Sequence, residues 1–251
     1  MGVRIERDGR AVIATLDWPE QRNAMGPDEC RELTEALTGI ADDPDIHGVV
    51  ITGNGAFCAG GNIKGAVARR DMSPEERKSI VYAAYQGMIR SIIAIPVPTV
   101  AAVDGACVGM GLDIALACDS RFFGPKGWCI QGWGRVGLIP GTGGEWLLRL
   151  KAPGLLWKLL EEQERLYAPE AAALGLAEIA GEAGALPRAL ARVEKLASMG
   201  RRPLEGYVDL YRGDLRDGLE AHLEAAVDRQ IALLQSPGIT DRVEAILGPV
   251  G

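Results

Sequence analysis

Two stretches of this chain decide most of what it can fold into. Residues 48–52 (Gly-Val-Val-Ile-Thr) and 99–103 (Thr-Val-Ala-Ala-Val) are short and β-branched, the pattern of strands buried on both faces. Each leads through a glycine-rich turn into a helix start. The first is Gly55-Ala56-Phe57-Cys58-Ala59-Gly60-Gly61-Asn62-Ile63-Lys64, and the second is Asp104-Gly105-Ala106-Cys107-Val108-Gly109-Met110-Gly111-Leu112-Asp113. At such a junction the first helical N–H groups lack partners and carry the positive end of the helix dipole. Two junctions facing one another would offer paired donors to a developing oxyanion, with glycine letting a ligand reach the backbone. Glycine-rich turns also simply join strands to helices, and spacing alone leaves both readings open.

The rest of the chain reads as an α/β fold. Residues 3–6 and 11–16 are β-type runs around Asp8-Gly9, a hairpin signal. Pro27 suits a first helical position, with Cys30, Leu33, Leu37 and Ile40 forming one buried stripe. Ser73-Pro74-Glu75-Glu76 has the form of a capping box, and the helix it opens is expected to turn Ile80, Ala84, Met88 and Ile92 to one face. A short apolar helix is expected from about Met110 to Cys118. Strands alternate with helices to about Gly184. Residues 186–197 and 219–234 then read as helices, with Pro203 and Pro237 as breaks. We therefore expect a core over residues 1–185 and a helical, oligomer-forming region over 186–251.

Bulk properties narrow the function. The net charge of −7 argues against nucleic acid as a partner. Five cysteines with no Cys-x-x-Cys pair fit a reduced, cytoplasmic setting better than disulfides or a metal site. Residues 1–7 lack the apolar core of a signal peptide. The most apolar region, 92–118, contains Pro96, Pro98, Asp104 and Asp113, so it reads as buried core and no membrane span is expected.

Five ordered segments resemble the crotonase (enoyl-CoA hydratase/isomerase) superfamily. They are Pro19-Glu20-Gln21-Arg22-Asn23-Ala24-Met25, Val49-Val50-Ile51-Thr52-Gly53, the run from Phe57 to Lys64, the run from Pro98 to Asp119, and Gly137-Leu138-Ile139-Pro140-Gly141-Thr142-Gly143-Gly144. The resemblance implies a spiral of β-β-α units with a C-terminal helical region, assembled as a homotrimer or hexamer. It also implies an acyl-CoA thioester as substrate, with coenzyme A present only as part of that substrate and no other cofactor. By position, Gly61 and Met110 would donate the two oxyanion N–H groups and stabilise a thioester enolate. Ala59, Asn62, Ile63 and Lys64 would lie along the CoA, with Arg22 and Ala24 near its adenosine end.

The departures from that family are as informative. Hydratases of the family flank the double bond with two glutamates, because two protons must be handled. Here the first position is Asp113 and the second is Trp133, which cannot exchange a proton. Paired-glutamate hydration is thereby disfavoured. Asp113 is the acid–base candidate, set against a plain role as a first-turn helix acid. Glu145 is the reserve candidate, with the same alternative. Trp133 reads as a wall of the acyl pocket. Dehalogenation, as in a related aryl-CoA branch, would need an aspartate where Gly141 stands. Asp17 and Asp119 read as structural, and Cys58 as a small buried residue and not a nucleophile. His47, read as a surface residue, and His222, on a C-terminal helix, give no triad base. The expectation is an acyl-CoA lyase or isomerase working through an enolate, by double-bond isomerisation, hydration of an unusual substrate or cleavage of a C–C bond. The alternative is a non-catalytic acyl-CoA-binding or scaffold homologue.

Overall fold

The hairpin at Asp8-Gly9 forms as expected and starts the main sheet. The structure, a computed structural model, describes residues 1–40, 43–69 and 71–247. Its strands are β1 (Gly2–Asp8), β2 (Ala11–Asp17), β3 (Gly48–Gly53), β4 (Thr99–Val103), β5 (Ala106–Val108), β6 (Ser120–Phe123), β7 (Trp128–Ile130), β8 (Leu166–Tyr167) and β9 (Glu178–Ile179). A six-stranded sheet runs β1-β2-β3-β4-β6-β9, parallel except for the β1–β2 hairpin. A smaller sheet runs β5-β7-β8.

The helices are α1 (Pro27–Thr38), α2 (Ile63–Ala68), α3 (Pro74–Glu76), α4 (Ala83–Ala94), α5 (Met110–Ala117), α6 (Gly144–Lys151), α7 (Leu155–Glu162), α8 (Ala168–Ala173), α9 (Ala185–Ala197), α10 (Arg201–Tyr211), α11 (Gly213–Leu234) and α12 (Ile239–Leu247). α1 has Pro27 at its first position, and Glu29 returns to accept from the Gly26 N–H at 2.8 Å. Its stripe of Cys30, Leu33 and Leu37 is buried, worth ~1.5–3 kcal/mol for each leucine. α3 opens on the expected capping box: Ser73 Oγ accepts from the Glu76 N–H, and Glu76 accepts from the Ser73 N–H.

Between α3 and α4 the helix widens into a π turn (Arg77–Tyr82). One extra residue per turn shifts the buried face. Val81 is therefore inside and Ile80 is 47% exposed, contrary to the α-helical spacing, while Ala84, Met88 and Ile92 are buried as expected.

The continuous apolar runs of β3 and β4 reflect burial on both faces. Val49 and Ile51 join the large core under α1, α4 and α5, whereas Val50, Val100, Ala102 and Phe122 pack against Ala185, Ala189 and Val193 of α9. The helix that opens the C-terminal region is thus one layer of the sheet packing. Pro203 does not break a helix; it occupies the first turn of α10, where its missing N–H needs no partner. His47 is also not a surface residue: it is 6% exposed, with its ring between the Arg10 guanidinium and the Asp45 carbonyl. Asp119 is structural, as expected, and pairs with Arg212, which is fully buried. No described helix is long and apolar enough to cross a membrane. Residues 248–251, the end of the expected helical region, lie outside the described residues.

Candidate active site

The two glycine-rich turns lie side by side. Cys58 N–H donates to the Ala106 carbonyl and Val108 N–H to the Cys58 carbonyl, both at 2.9 Å. A third segment joins them: Met25 N–H donates to the Gly60 carbonyl at 2.9 Å, and Asn62 N–H to the Met25 carbonyl at 2.8 Å. In this parallel bridge the neighbours of Gly61 do the bonding, so its own N–H points the other way. It has no acceptor among the described residues. Met110 begins α5, so its N–H has no intrahelical acceptor, and none is supplied from elsewhere among the described residues. Gly61 and Met110 both line one narrow apolar cleft enclosing about 30 Å³.

Local sequence explains this geometry. Gly109 adopts φ 51°, ψ −111°, a conformation that lets the chain swing from β5 into α5. A Cβ on Gly111 would overlap the Cys58 carbonyl, so only glycine lets α5 seat against the first turn. Asn23, itself left-handed at φ 56°, accepts from the Trp18 N–H at 2.8 Å and donates to the Ala56 carbonyl at 2.7 Å. It pins the 19–25 segment beside the first turn.

Trp133 closes the cleft over both turns. A Cβ on Gly61 would lie 3.9 Å from its ring, and one on Gly109 would lie 3.6 Å from Nε1. Its Nε1–H donates to Asp113 Oδ2 at 3.1 Å. Thr142, a residue not singled out from sequence, donates to the same oxygen at 2.5 Å. Asp113 is only 4% exposed and stands behind Trp133 and Thr142, which line the cleft in front of it. Burial pushes its carboxyl from 3.8 up to about 7, against the opposing pull of the bonds from Thr142 and Trp133. A carboxyl that titrates near neutrality, joined through a hydroxyl to an apolar cleft, is suited to moving one proton.

The other candidates fall in three groups. Glu145 turns away from the cleft lining: its Oε2 meets His222 Nε2 at 2.7 Å, and His222 stacks on Trp146. Asn62 and Ile63 line the cleft, and the Asn62 side chain also accepts from the Gly65 N–H to cap α2. Arg22, Ala24, Ala59 and Lys64 do not line it. The Ala59 N–H donates to the Arg22 carbonyl at 3.0 Å, and the exposed Arg22 and Lys64 make no ion pair among the described residues. Burial raises the Cys58 thiol to about 12, so it holds no thiolate near neutrality.

The opposite wall of the cleft comes from distant segments: Tyr82 and Tyr85 from the π turn and α4, and Gln230 and Leu234 from α11. Gln230 accepts from the Ile139 N–H at 3.0 Å, and Gln86 donates to the Gly141 carbonyl at 3.0 Å, which holds the loop carrying Thr142.

Comparisons with known proteins bear on the family and the fold. The enoyl-CoA hydratase/isomerase family model matches residues 7–244. The "Probable enoyl-CoA hydratase echA14" of Mycobacterium tuberculosis is 32% identical over 97% of this chain and 96% of its own length. The crystal structure of an enoyl-CoA hydratase from a Polaromonas species is 33% identical and has a TM-score of 0.79, covering 99% of this chain and 97% of that one. An enoyl-CoA hydratase structure from Bacillus halodurans shares the fold with a TM-score of 0.90 at 23% identity, over 98% of this chain and all of that one.

Proposed function

The chain belongs to the enoyl-CoA hydratase/isomerase family, and on that premise we propose that it is an acyl-CoA enzyme that moves a single proton through a thioester enolate. The thioester oxygen sits between the Gly61 and Met110 N–H groups. Charge builds on that oxygen as the enolate forms, so these fixed donors bind the transition state better than the substrate. The Thr142 hydroxyl, both donor and acceptor, passes the proton between the α-carbon region and Asp113. Arg22 and Lys64 meet the CoA phosphates. One protein carboxyl suits a double-bond shift or cleavage of a C–C bond. Hydration by two carboxylates does not fit, because the second position is Trp133 and its one donor is already given to Asp113.

The observation that carries this reading is the pair of N–H groups without acceptors among the described residues on one cleft, with the neutral-range carboxyl of Asp113 behind it. The test is exchange of α-protons of a saturated acyl-CoA in deuterated water. Exchange is expected in the wild type and its loss in Asp113→Asn. Tight binding with no exchange would instead identify a non-catalytic binder. On the same reading the chain assembles as a trimer or hexamer. Trp157 and Leu210, 74% and 82% exposed in the single chain, support that, and a monomer on sedimentation would count against it.

A further inference from the structure

Two guanidinium groups beside the cleft have no counter-charge among the described residues. Arg77 is 3% exposed, and among the described residues its guanidinium donates only from Nη2 to the Arg69 carbonyl, at 2.5 Å. Arg69 buries Nε and Nη2 with no hydrogen-bond partner for either atom among the described residues, and its guanidinium meets only the Tyr85 hydroxyl. Neither pairs with a carboxylate among the described residues. Elsewhere the chain treats buried arginine differently. Arg212 is held by both oxygens of Asp119 and by the carbonyls of Ile93 and Ile95, and Arg121 donates to the carbonyls of Leu176 and Cys118. A buried cation left without a partner is strongly unfavourable, so its retention implies an anion supplied from outside the chain.

The placement indicates where that anion belongs. The Arg69 guanidinium lies against the Tyr85 hydroxyl and beside Gly65, whose missing side chain leaves it room. Tyr85 and the adjoining Asn62 and Ala66 line the acyl cleft. Arg77 lines a second small cavity, which shares Ile63, Ala66 and Leu234 with the first. Those three side chains are the partition between thioester and guanidinium.

We infer that the cleft takes an acyl thioester whose acyl chain carries a carboxylate, and that Arg69 and Arg77 are the groups that receive it. The inference rests on the acyl-CoA reading above and narrows its substrate class. An apolar cleft with guanidinium groups just across Ile63, Ala66 and Leu234 matches a chain that ends in a carboxylate, because guanidinium and carboxylate pair in a two-bond fork. A simple fatty acyl chain would leave both charges unanswered.

The test compares succinyl-CoA with butyryl-CoA, which differ by a terminal carboxylate in place of a methyl group. Calorimetry on the wild type should show succinyl-CoA bound at least tenfold more tightly. Arg69→Met and Arg77→Met should bring the two to parity while leaving butyryl-CoA affinity unchanged. Arg69→Met should also melt higher than the wild type in the absence of ligand, because it removes a half-buried charge that has no carboxylate partner among the described residues. A purely structural Arg69 would give the opposite shift. The pantetheine thioesters of the same two acids, which lack the nucleotide phosphates, should keep the succinyl preference. Equal wild-type binding of the two CoA esters would overturn the inference and leave the acyl-CoA reading standing. So would an Arg69→Met loss that falls equally on both CoA esters and spares the pantetheine esters, since the arginines would then be holding CoA phosphate. Failure of the wild type to bind either CoA ester would bring down the acyl-CoA reading itself.

Discussion

Asp113→Asn separates the titration of this site from its packing. Asparagine keeps the shape, and its carbonyl oxygen can still accept from Trp133 Nε1 and Thr142 Oγ1, but it never ionises. In the wild type the folded carboxyl titrates at about 7 because of burial, and the unfolded group near 3.8. The folded state therefore binds the proton more tightly, and wild-type stability falls as pH rises from about 4 to about 7, then levels off. A rise of about 3 in pKa corresponds to ~4 kcal/mol in full, of which ~3 kcal/mol develops between pH 5 and pH 8. The asparagine variant has no such term. Urea unfolding of both proteins, followed by tryptophan fluorescence, should find the variant more stable at pH 8, with its advantage reduced by ~3 kcal/mol at pH 5. Other groups titrate alike in both proteins and drop out of the difference. A gap that is the same at both pH values would refute a neutral-range carboxyl at this position, and the proton chemistry assigned to it would fall as well. The more stable protein should be the inactive one, with α-exchange slowed by a factor on the order of 10² or more.

Three further substitutions probe other parts of the argument. Thr142→Val removes a donor that favours the ionised carboxyl, so the pH profile of α-exchange should move upward and the rate fall by roughly tenfold; an unshifted profile would exclude Thr142 as the relay. Gly144→Ala places a Cβ where it overlaps Asp113 Oδ1, so activity should fall and the melting temperature drop by several degrees, and a variant as stable and active as the wild type would contradict that packing. Asp119→Ala strands the Arg212 charge in the core and should cost about 3–5 kcal/mol in chemical denaturation, whereas a loss below ~1 kcal/mol would mean the pair is not sealed from water.

The sequence carried the parts of this architecture that depend on near neighbours. The hairpin at Asp8-Gly9, the stripe of α1, the Ser73–Glu76 cap and the two buried strands are local patterns, and each formed where its pattern lay. Three local readings failed for physical reasons. The π turn moved the buried position from Ile80 to Val81, a displacement that α-helical spacing cannot register. His47 was enclosed by Arg10 and Asp45, neither of which marks it in the sequence as buried. Pro203 was taken into the first turn of a helix whose start carries no polar cap. Of the site, the two turns were visible as glycine-rich junctions, but their role and that of Asp113 were legible only through the family resemblance, since the same glycines would serve a plain connection. The far wall was not: Tyr82 and Gln230 meet across some 150 residues, and no short window contains both. Thr142 sat inside a motif already noted, yet only the fold shows that its hydroxyl touches the carboxyl. That Arg69 and Arg77 lack a carboxylate partner among the described residues is likewise a property of their surroundings in space.

Arg212 also bears on how the molecule is made. Its guanidinium gathers the carbonyls of Ile93 and Ile95, the Thr99 hydroxyl and both oxygens of Asp119, and these partners lie 93 to 119 positions earlier in the chain. While a ribosome is still extending the chain through α9, those acceptors exist but have no cation to collect them. The nascent protein must then carry an unsealed seam until the emerging helices bring residue 212 across it. A chain that stops short of residue 212 would leave the carbonyls of Ile93 and Ile95 and the Asp119 carboxylate without the cation that ties them together.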